Sequence, residues 1–190
     1  GKSALFFVLC GLFPFKYLNS GTIIYMNMLP NEKLLDLKDK CAIVTGGAMG
    51  IGFGISNRLA EAGAQVFILD KDEESGKKAV SKLHDEKGCK VFFIKTDVSN
   101  KEDIINAVDF AIKTCGNIDI LVNNAGIYPT INIMDMEVED FERVLSVNLK
   151  SVFLLTQTVA ESMIAFGKGG KIINISSIDA IHPSSIGLAA

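Results

Sequence analysis

The sequence predicts an α/β fold, a doubly wound parallel sheet, over residues 37–190. Short apolar runs alternate with helical stretches along that whole span. The runs are nearly continuous in Val, Ile, Leu and Phe, as parallel strands covered on both faces must be. A glycine-rich turn, TGGAMGIG, joins the first run to the first helical stretch.

Each element follows from its own pattern. CAIVTG (41–46) is a short apolar run ending in Gly, a strand, and Ile51, Ile55, Leu59 and Ala62 follow at the spacing of a helix face. AQVFILD (64–70) is β-branched and aromatic, a second strand. DEESGKKAVSKLHDEKG (72–88) is a charged amphipathic helix with a Gly stop, and KVFFIKTDV (90–98) a third strand. NKEDIINAVDFAIKTCG (100–116) opens on Asn as an N-cap and closes on Gly. IDILVNNAG (118–126) is a fourth strand that breaks into a turn. A longer helix spans 139–166, with Val144, Leu145, Val152 and Leu155 expected to face the core. GKIINISS (170–177) completes the five strands. No internal repeat, low-complexity tract or linker interrupts residues 37–190.

Composition narrows the function classes. The chain has 190 residues, 48% hydrophobic and 22% charged, which describes a globular domain rather than disorder. A net charge of -3 without any Lys/Arg block leaves no footprint for nucleic acid. The four cysteines, Cys10, Cys41, Cys89 and Cys115, form no C-x-x-C pair, so no metal site is expected. They read as free thiols in a reducing, cytoplasmic compartment. Residues 1–36 are expected to be a leader or extension outside the fold. Their apolar run, 4–13, is too short to span a bilayer as a helix, and no membrane partner is expected. Lys2 ahead of that run resembles a secretory signal, but no A-x-A-like cleavage site follows.

The first turn and the second strand carry the chemistry. Gly46, Gly50 and Gly52, with Met49 and Ile51 between them, allow a tight turn and a close backbone approach to a pyrophosphate at the helix N-terminus. A ligand-free Gly-rich turn shows the same pattern, and the spacing G-x-x-x-G-x-G departs from the usual G-x-G-x-x-G. Asp70 ends the second strand, where a carboxylate accepts hydrogen bonds from ribose hydroxyls and repels a 2′-phosphate. NAD is therefore favoured over NADP, although Lys71 next to it weakens the repulsion.

With these motifs in order, the sequence resembles the classical short-chain dehydrogenase/reductase family from about residue 37 to its end. The family's T-G-x-x-x-G-x-G stands as TGGAMGIG. Its adenine-contacting Asp is similar to Asp97, followed by Val98, in TDV; its N-N-A-G stands as Asn123, Asn124, Ala125 and Gly126. Its N-x-x-S matches Asn148 and Ser151, and its active-site Ser matches Ser177 rather than Ser176. The resemblance implies a Rossmann-like sheet whose C-terminal strands are missing. It also implies an NAD(P)-dependent enzyme that exchanges hydride with a small-molecule alcohol or ketone. Asn124, Ala125 and Gly126 would let a cofactor ring pass, Asn148 would hold a relay water, and Ser177 would bind the substrate oxygen. Bland readings stand beside these: a turn carboxylate for Asp97, a satisfied core amide for Asn148, a strand-end hydroxyl for Ser177. Tyr128, Pro129 and His182 are candidates for the pocket rim. A serine hydrolase is excluded, since G-x-S-x-G is absent and the only histidines are His84 and His182.

The family's acid/base pair, Y-x-x-x-K, does not occur in residues 1–190. By the resemblance its Tyr falls where Ala190 stands or just beyond, so the chain is expected to stop short of it and to be inactive alone. The alternative is a non-catalytic module that binds a dinucleotide or senses its redox state. The long helix resembles the one that family members pair into homo-oligomers, with Phe153 or Leu154 suited to the seam.

Overall fold

The computed structural model describes residues 35–85 and 88–177, together with the backbone of strands β1 (Phe15–Tyr17) and β2 (Ile23–Tyr25). Cys10, the apolar run 4–13, His182 and Ala190 lie outside the described residues. The chain divides into two compact units, Gly1–Asp36 and Leu37–Ala190. In the first, β1 and β2 pair antiparallel, Phe15 opposite Tyr25.

The second unit holds a five-stranded sheet built from β3 (Cys41–Thr45), β4 (Gln65–Asp70), β5 (Val91–Lys95), β6 (Ile120–Asn123) and β7 (Lys171–Asn174). All its pairings are parallel and the order is β5-β4-β3-β6-β7. Parallel neighbours require crossovers, supplied by α1 (Gly50–Glu61), α2 (Glu73–Val80), α3 (Lys101–Cys115) and the helical stretch α4 (Val138–Leu145) to α5 (Ser151–Ala165). Alternate strand residues enter opposite cores. Cys41, Ile43, Phe67 and Leu69 pack with Ile104, Val108, Leu155 and Val159 of α3 and α5. Ala42, Val44, Val66 and Ile68 pack with Ala60 of α1 and with Ala79 and Leu83 on the other side. Helices on both faces make the sheet doubly wound and Rossmann-like.

Capping explains where the helices begin. Asp72 accepts hydrogen bonds from the Ser75 N–H at 3.1 Å and hydroxyl at 2.7 Å, fixing the start of α2. Asn100 Oδ1 accepts from the Glu102 and Asp103 N–H groups at 2.8 and 3.4 Å at the start of α3, and Gly116 ends that helix at φ 84°. The helical stretch from α2 continues through a wide π turn to Asp85. A second π turn, Ser146–Lys150, joins α4 to α5.

Three expectations about inward faces need correction. Ile51 is 72% exposed, and the buried residues of α1 are Gly52, Ser56 and Ala60. The helix lies so close to the first turn that only small side chains fit between them, and the larger Ile55 and Leu59 take the flanks. Leu145 is exposed, while its neighbour Val144 is the buried residue of α4. Leu154, expected at a subunit seam, is a core residue beside Leu155, while Phe153 does face outward.

Candidate functional site

Strand order fixes where a ligand can enter. The chain steps from β3 outward to β4 and β5, then returns to place β6 on the other side of β3. The segments leaving β3 and β6 therefore diverge, opening a crevice at the C-terminal edge of the sheet. A cleft of about 780 Å³ lies there. Its walls include Gly46, Met49, Ile51 and Gly52 of the first turn, Asp70 at the end of β4, Asp97 and Val98 beyond β5, and Asn124, Ala125 and Gly126 beyond β6. Gly50, Asn148 and Ser177 are not among the lining residues.

The first turn is stitched to the segment after β6. The Thr45 hydroxyl donates to the Val122 carbonyl at 3.4 Å and accepts from the Asn124 and Ala125 N–H groups, each at 3.0 Å. Asn124 Nδ2 donates back to the Thr45 and Gly46 carbonyls at 2.9 and 3.1 Å. Gly46 turns at φ 60°, and a Cβ there would stand 3.0 Å from Ala125 Cα. A Cβ on Gly52 would run into the Gly46 carbonyl oxygen. The turn is thus a cradle with no room for a side chain at Gly46 or Gly52.

The beginning of α1 differs from those of α2 and α3. Its N-cap, Met49, has extended backbone and no side-chain cap, and no acidic residue occupies the first turn. The first N–H to find a helical acceptor is that of Phe53, which donates to Met49 O at 3.0 Å. The N–H groups of residues 50–52 have no intrahelical acceptor and sit at the positive end of the helix dipole, which suits an anion.

Two carboxylates flank this cradle. Asp70 Oδ2 accepts from the Ala48 N–H at 3.2 Å and Oδ1 from the Asp72 N–H at 3.1 Å, so it braces both turns. Each oxygen keeps a lone pair for a ligand hydroxyl. Asp97 Oδ1 accepts from the Ser99 hydroxyl at 2.7 Å and N–H at 2.9 Å. These bonds, helped by Lys71, hold the Asp97 carboxyl below its ordinary range.

Asn148 occupies the π turn between α4 and α5. Its Oδ1 accepts from the Ile127 N–H at 2.8 Å, and its Nδ2 donates to the Ile127 carbonyl at 2.9 Å. Both ends of the amide therefore grip one residue of the cleft wall, the one after Gly126. Ser177 is exposed and lies three residues past β7, at the same C-terminal edge of the sheet. The structure thus gathers all the expected cofactor contacts but Gly50 into one cleft, and leaves Asn148 behind its wall and Ser177 outside its lining.

Several lining residues escaped the sequence reading. Leu69, Thr96 and Ser99 are neighbours of residues that were singled out, whereas Arg143 and Val147 come from a distant helix. Their four-residue spacing, which turns both to one side of a helix, was the only signal. Tyr128 and Pro129, the expected rim residues, line the cleft. Among the described residues no group of three or more His, Cys, Asp or Glu side chains is placed to hold a metal ion. No described helix is long and apolar enough to cross a membrane.

Known proteins share this architecture. A family model described as short chain dehydrogenase matches residues 40–189. A 3-oxoacyl-acyl-carrier-protein reductase, FabG, of Chlamydia muridarum is 42% identical over 148 residues, covering 78% of this chain and 59% of its own length. A cyclopentanol dehydrogenase of a Comamonas strain is 40% identical over 142 residues, 75% of this chain and 56% of its own. Among solved structures, a 7α-hydroxysteroid dehydrogenase complexed with NADH and 7-oxo glycochenodeoxycholic acid superposes with a TM-score of 0.76 at 35% identity, covering 85% of this chain and 61% of that one. The chain spans under two thirds of the length of these relatives. Over that length the sheet order, the glycine cradle and the family match agree, and the chain belongs to the short chain dehydrogenase family.

Proposed function

We propose that the chain supplies the cofactor-binding part of a nicotinamide-dependent oxidoreductase that interconverts an alcohol and a ketone by hydride transfer, with NAD favoured over NADP. One observation carries the reading: the uncapped, acid-free start of α1 and the Asp70 carboxylate open into the same cleft. The first is complementary to a pyrophosphate and the second to the ribose diol beside it. The relatives named above are dehydrogenases and a reductase, and one was solved with NADH and an oxo compound.

Within this reading residues 37–190 form the dinucleotide-binding domain. Gly46, Met49, Gly50, Ile51 and Gly52 hold the pyrophosphate through backbone N–H groups. Asp97 and the Val98 N–H face the adenine, one as acceptor and the other as donor. Asn124, Ala125 and Gly126 let the ring pass the end of β6. The hydride chemistry itself is the cofactor's. Asn148 fixes the Ile127 peptide and with it the wall of the cleft, and one Nδ2 hydrogen and one Oδ1 lone pair remain for a relay water. Ser177 donates a hydrogen bond to the substrate oxygen and steadies charge there. General acid/base catalysis is worth about 10² to 10⁴ in rate, and without a Y-x-x-x-K pair residues 1–190 should bind cofactor yet turn over slowly or not at all.

The exposed side of α4 and α5 carries Val138, Phe141, Leu145, Leu149 and Phe153, a stripe suited to a second copy of the chain. Free Cys41, Cys89 and Cys115 fit a cytoplasmic setting. Calorimetric titration of NADH and NADPH into the chain tests the cofactor reading. Saturable binding with NADH tighter is expected, and no binding of either would overturn it. Turnover of an alcohol and ketone panel by a chain extended through a Y-x-x-x-K pair separates an enzyme from a cofactor-sensing module.

A further inference from the structure

Among the described residues, the cations that line the cleft are Lys71 and Arg143. Lys71 follows Asp70 at the end of β4, where the turn motifs gather. Arg143 comes from the last turn of α4, far along the chain from any of them. Val147 stands four residues further on, and both side chains reach the cleft wall that Val98 and Ser99 supply between β5 and α3. A neighbouring hollow runs over Glu139, Ser146 and Lys150, and the residues it shares with the cleft are Ser99 and Arg143. Arg143 therefore stands on the boundary of the cleft beside the Asp97–Ser99 segment.

Its hydrogen bonding leaves most of the guanidinium unused. The Arg143 side chain is 59% exposed, and its Nη2 donates to Asp140 Oδ1 at 3.0 Å, three residues back on the same helix. That bond takes one of five N–H donors and is directed along the plane of the group, so it engages neither flat face. An exposed pair of this kind contributes little to stability. The pyrophosphate has no need of Arg143, because the N–H groups at the open start of α1 already supply its partners.

The inference rests on the reading above, in which the adenine lies against Asp97 and Val98. Adenine is flat and uncharged, so its edge calls for donors and acceptors and its faces for apolar or planar groups. Val98 is buried and Val147 half-buried, which makes them suited to the inner face of the base. At the exposed boundary an apolar side chain would itself face water. A guanidinium suits that place, since it is planar, more weakly hydrated than an ammonium, and stacks on aromatic rings and bases. We propose that Arg143 lies flat over the adenine of the bound dinucleotide, a cofactor-positioning residue that selects for an aromatic base, with Asp140 holding its edge.

The test titrates NADH, ADP-ribose and inorganic pyrophosphate into the wild-type chain, Arg143→Ala and Arg143→Lys. The first two probes carry the adenine and the third does not. Arg143→Ala should weaken NADH and ADP-ribose by the same factor, roughly three- to tenfold for a cation over a ring near the surface, and leave pyrophosphate unchanged. Arg143→Lys should recover only part of the loss, because an ammonium is a hydrated point charge with no flat face. Circular dichroism of both variants should match the wild type. The proposal is overturned if Arg143→Ala binds NADH as tightly as the wild type, if pyrophosphate weakens as much as NADH, or if Arg143→Lys restores affinity in full; the last two results would make Arg143 a distant charge rather than a stacking group. A wild-type chain that binds neither NADH nor ADP-ribose would overturn the cofactor reading itself, and this inference with it.

Discussion

Helices α1 and α3 begin at the same edge of the same sheet, one after β3 and the other after β5, yet their first turns are built in opposite ways. At α3 the Asn100 side chain satisfies two N–H groups, and Glu102 and Asp103 add negative charge to the dipole. At α1 there is no side-chain cap and no acid, and glycines stand at 46, 50 and 52. An unsatisfied helix start is costly unless something else supplies the charge. The contrast separates a start completed by its own sequence from one left open to an anionic ligand.

The largest effect should come from closing the open start sterically. Gly52→Ala puts a Cβ against the Gly46 carbonyl and forces the turn apart. Overpacking of this kind costs about 1–3 kcal/mol in stability, and dinucleotide affinity should fall roughly ten- to a hundredfold as the cradle moves. A thermal melt and an NADH titration on the same sample read both.

Asp70→Ala comes next. It removes an acceptor for the ribose diol and should weaken NAD by about 1.5–3 kcal/mol, while weakening NADP less because a 2′-phosphate is no longer repelled. The Asp70 side chain also braces Ala48 and Asp72, so part of the loss reaches both cofactors. Equal weakening of the two would mean that bracing is its whole role. Lys71→Ala should lower NADP affinity and leave NAD nearly unchanged.

A pair of smaller changes exchanges the two helix starts. Met49→Asp gives α1 the cap it lacks and should stabilise the fold by about 0.5–2 kcal/mol while reducing dinucleotide affinity, because the N–H groups are then occupied and the charge repels phosphate. Asn100→Ala should cost about 1 kcal/mol of stability and leave affinity unchanged. Opposite movements of stability and affinity in the first variant, and stability alone in the second, distinguish a ligand site from a weak helix end.

The smallest effect is a pH dependence at Asp97. Its folded-state pKa is depressed, chiefly by Ser99, so its contribution is complete above the unfolded carboxylate value of about 3.9 and is lost as pH falls through the lower folded value. Unfolding curves of wild type and Ser99→Ala should therefore differ by a constant amount near neutrality and converge only in acid. Convergence already near pH 6 would show that another group sets the difference.

What the sequence made legible follows from how local each signal is. Strands were readable because burial on both faces leaves nearly unbroken apolar runs, and the cleft residues because they cluster in short motifs at strand ends. Ile51 was misread since its spacing fits a helix face, whereas the approach of α1 to the turn selects Gly52, Ser56 and Ala60. Leu154 and Phe153 are adjacent apolar residues on a helix, and only packing decides which faces inward. Arg143 and Val147 reach the cleft from a helix whose position depends on the whole sheet. Thr45 was visible within the turn motif, but its three bonds across to Val122, Asn124 and Ala125 were not.

The open start of α1 as the seat of the cofactor is tested most directly by amide chemical shifts during titration. With NAD added to the ¹⁵N-labelled chain, the N–H signals of Gly50, Ile51 and Gly52 should move saturably and further than any in α3, while those of Glu102 and Asp103, already bound to Asn100, stay in place. Signals of Gly50 to Gly52 that remain still at saturating NAD, or larger movements at Glu102 and Asp103, would contradict the account.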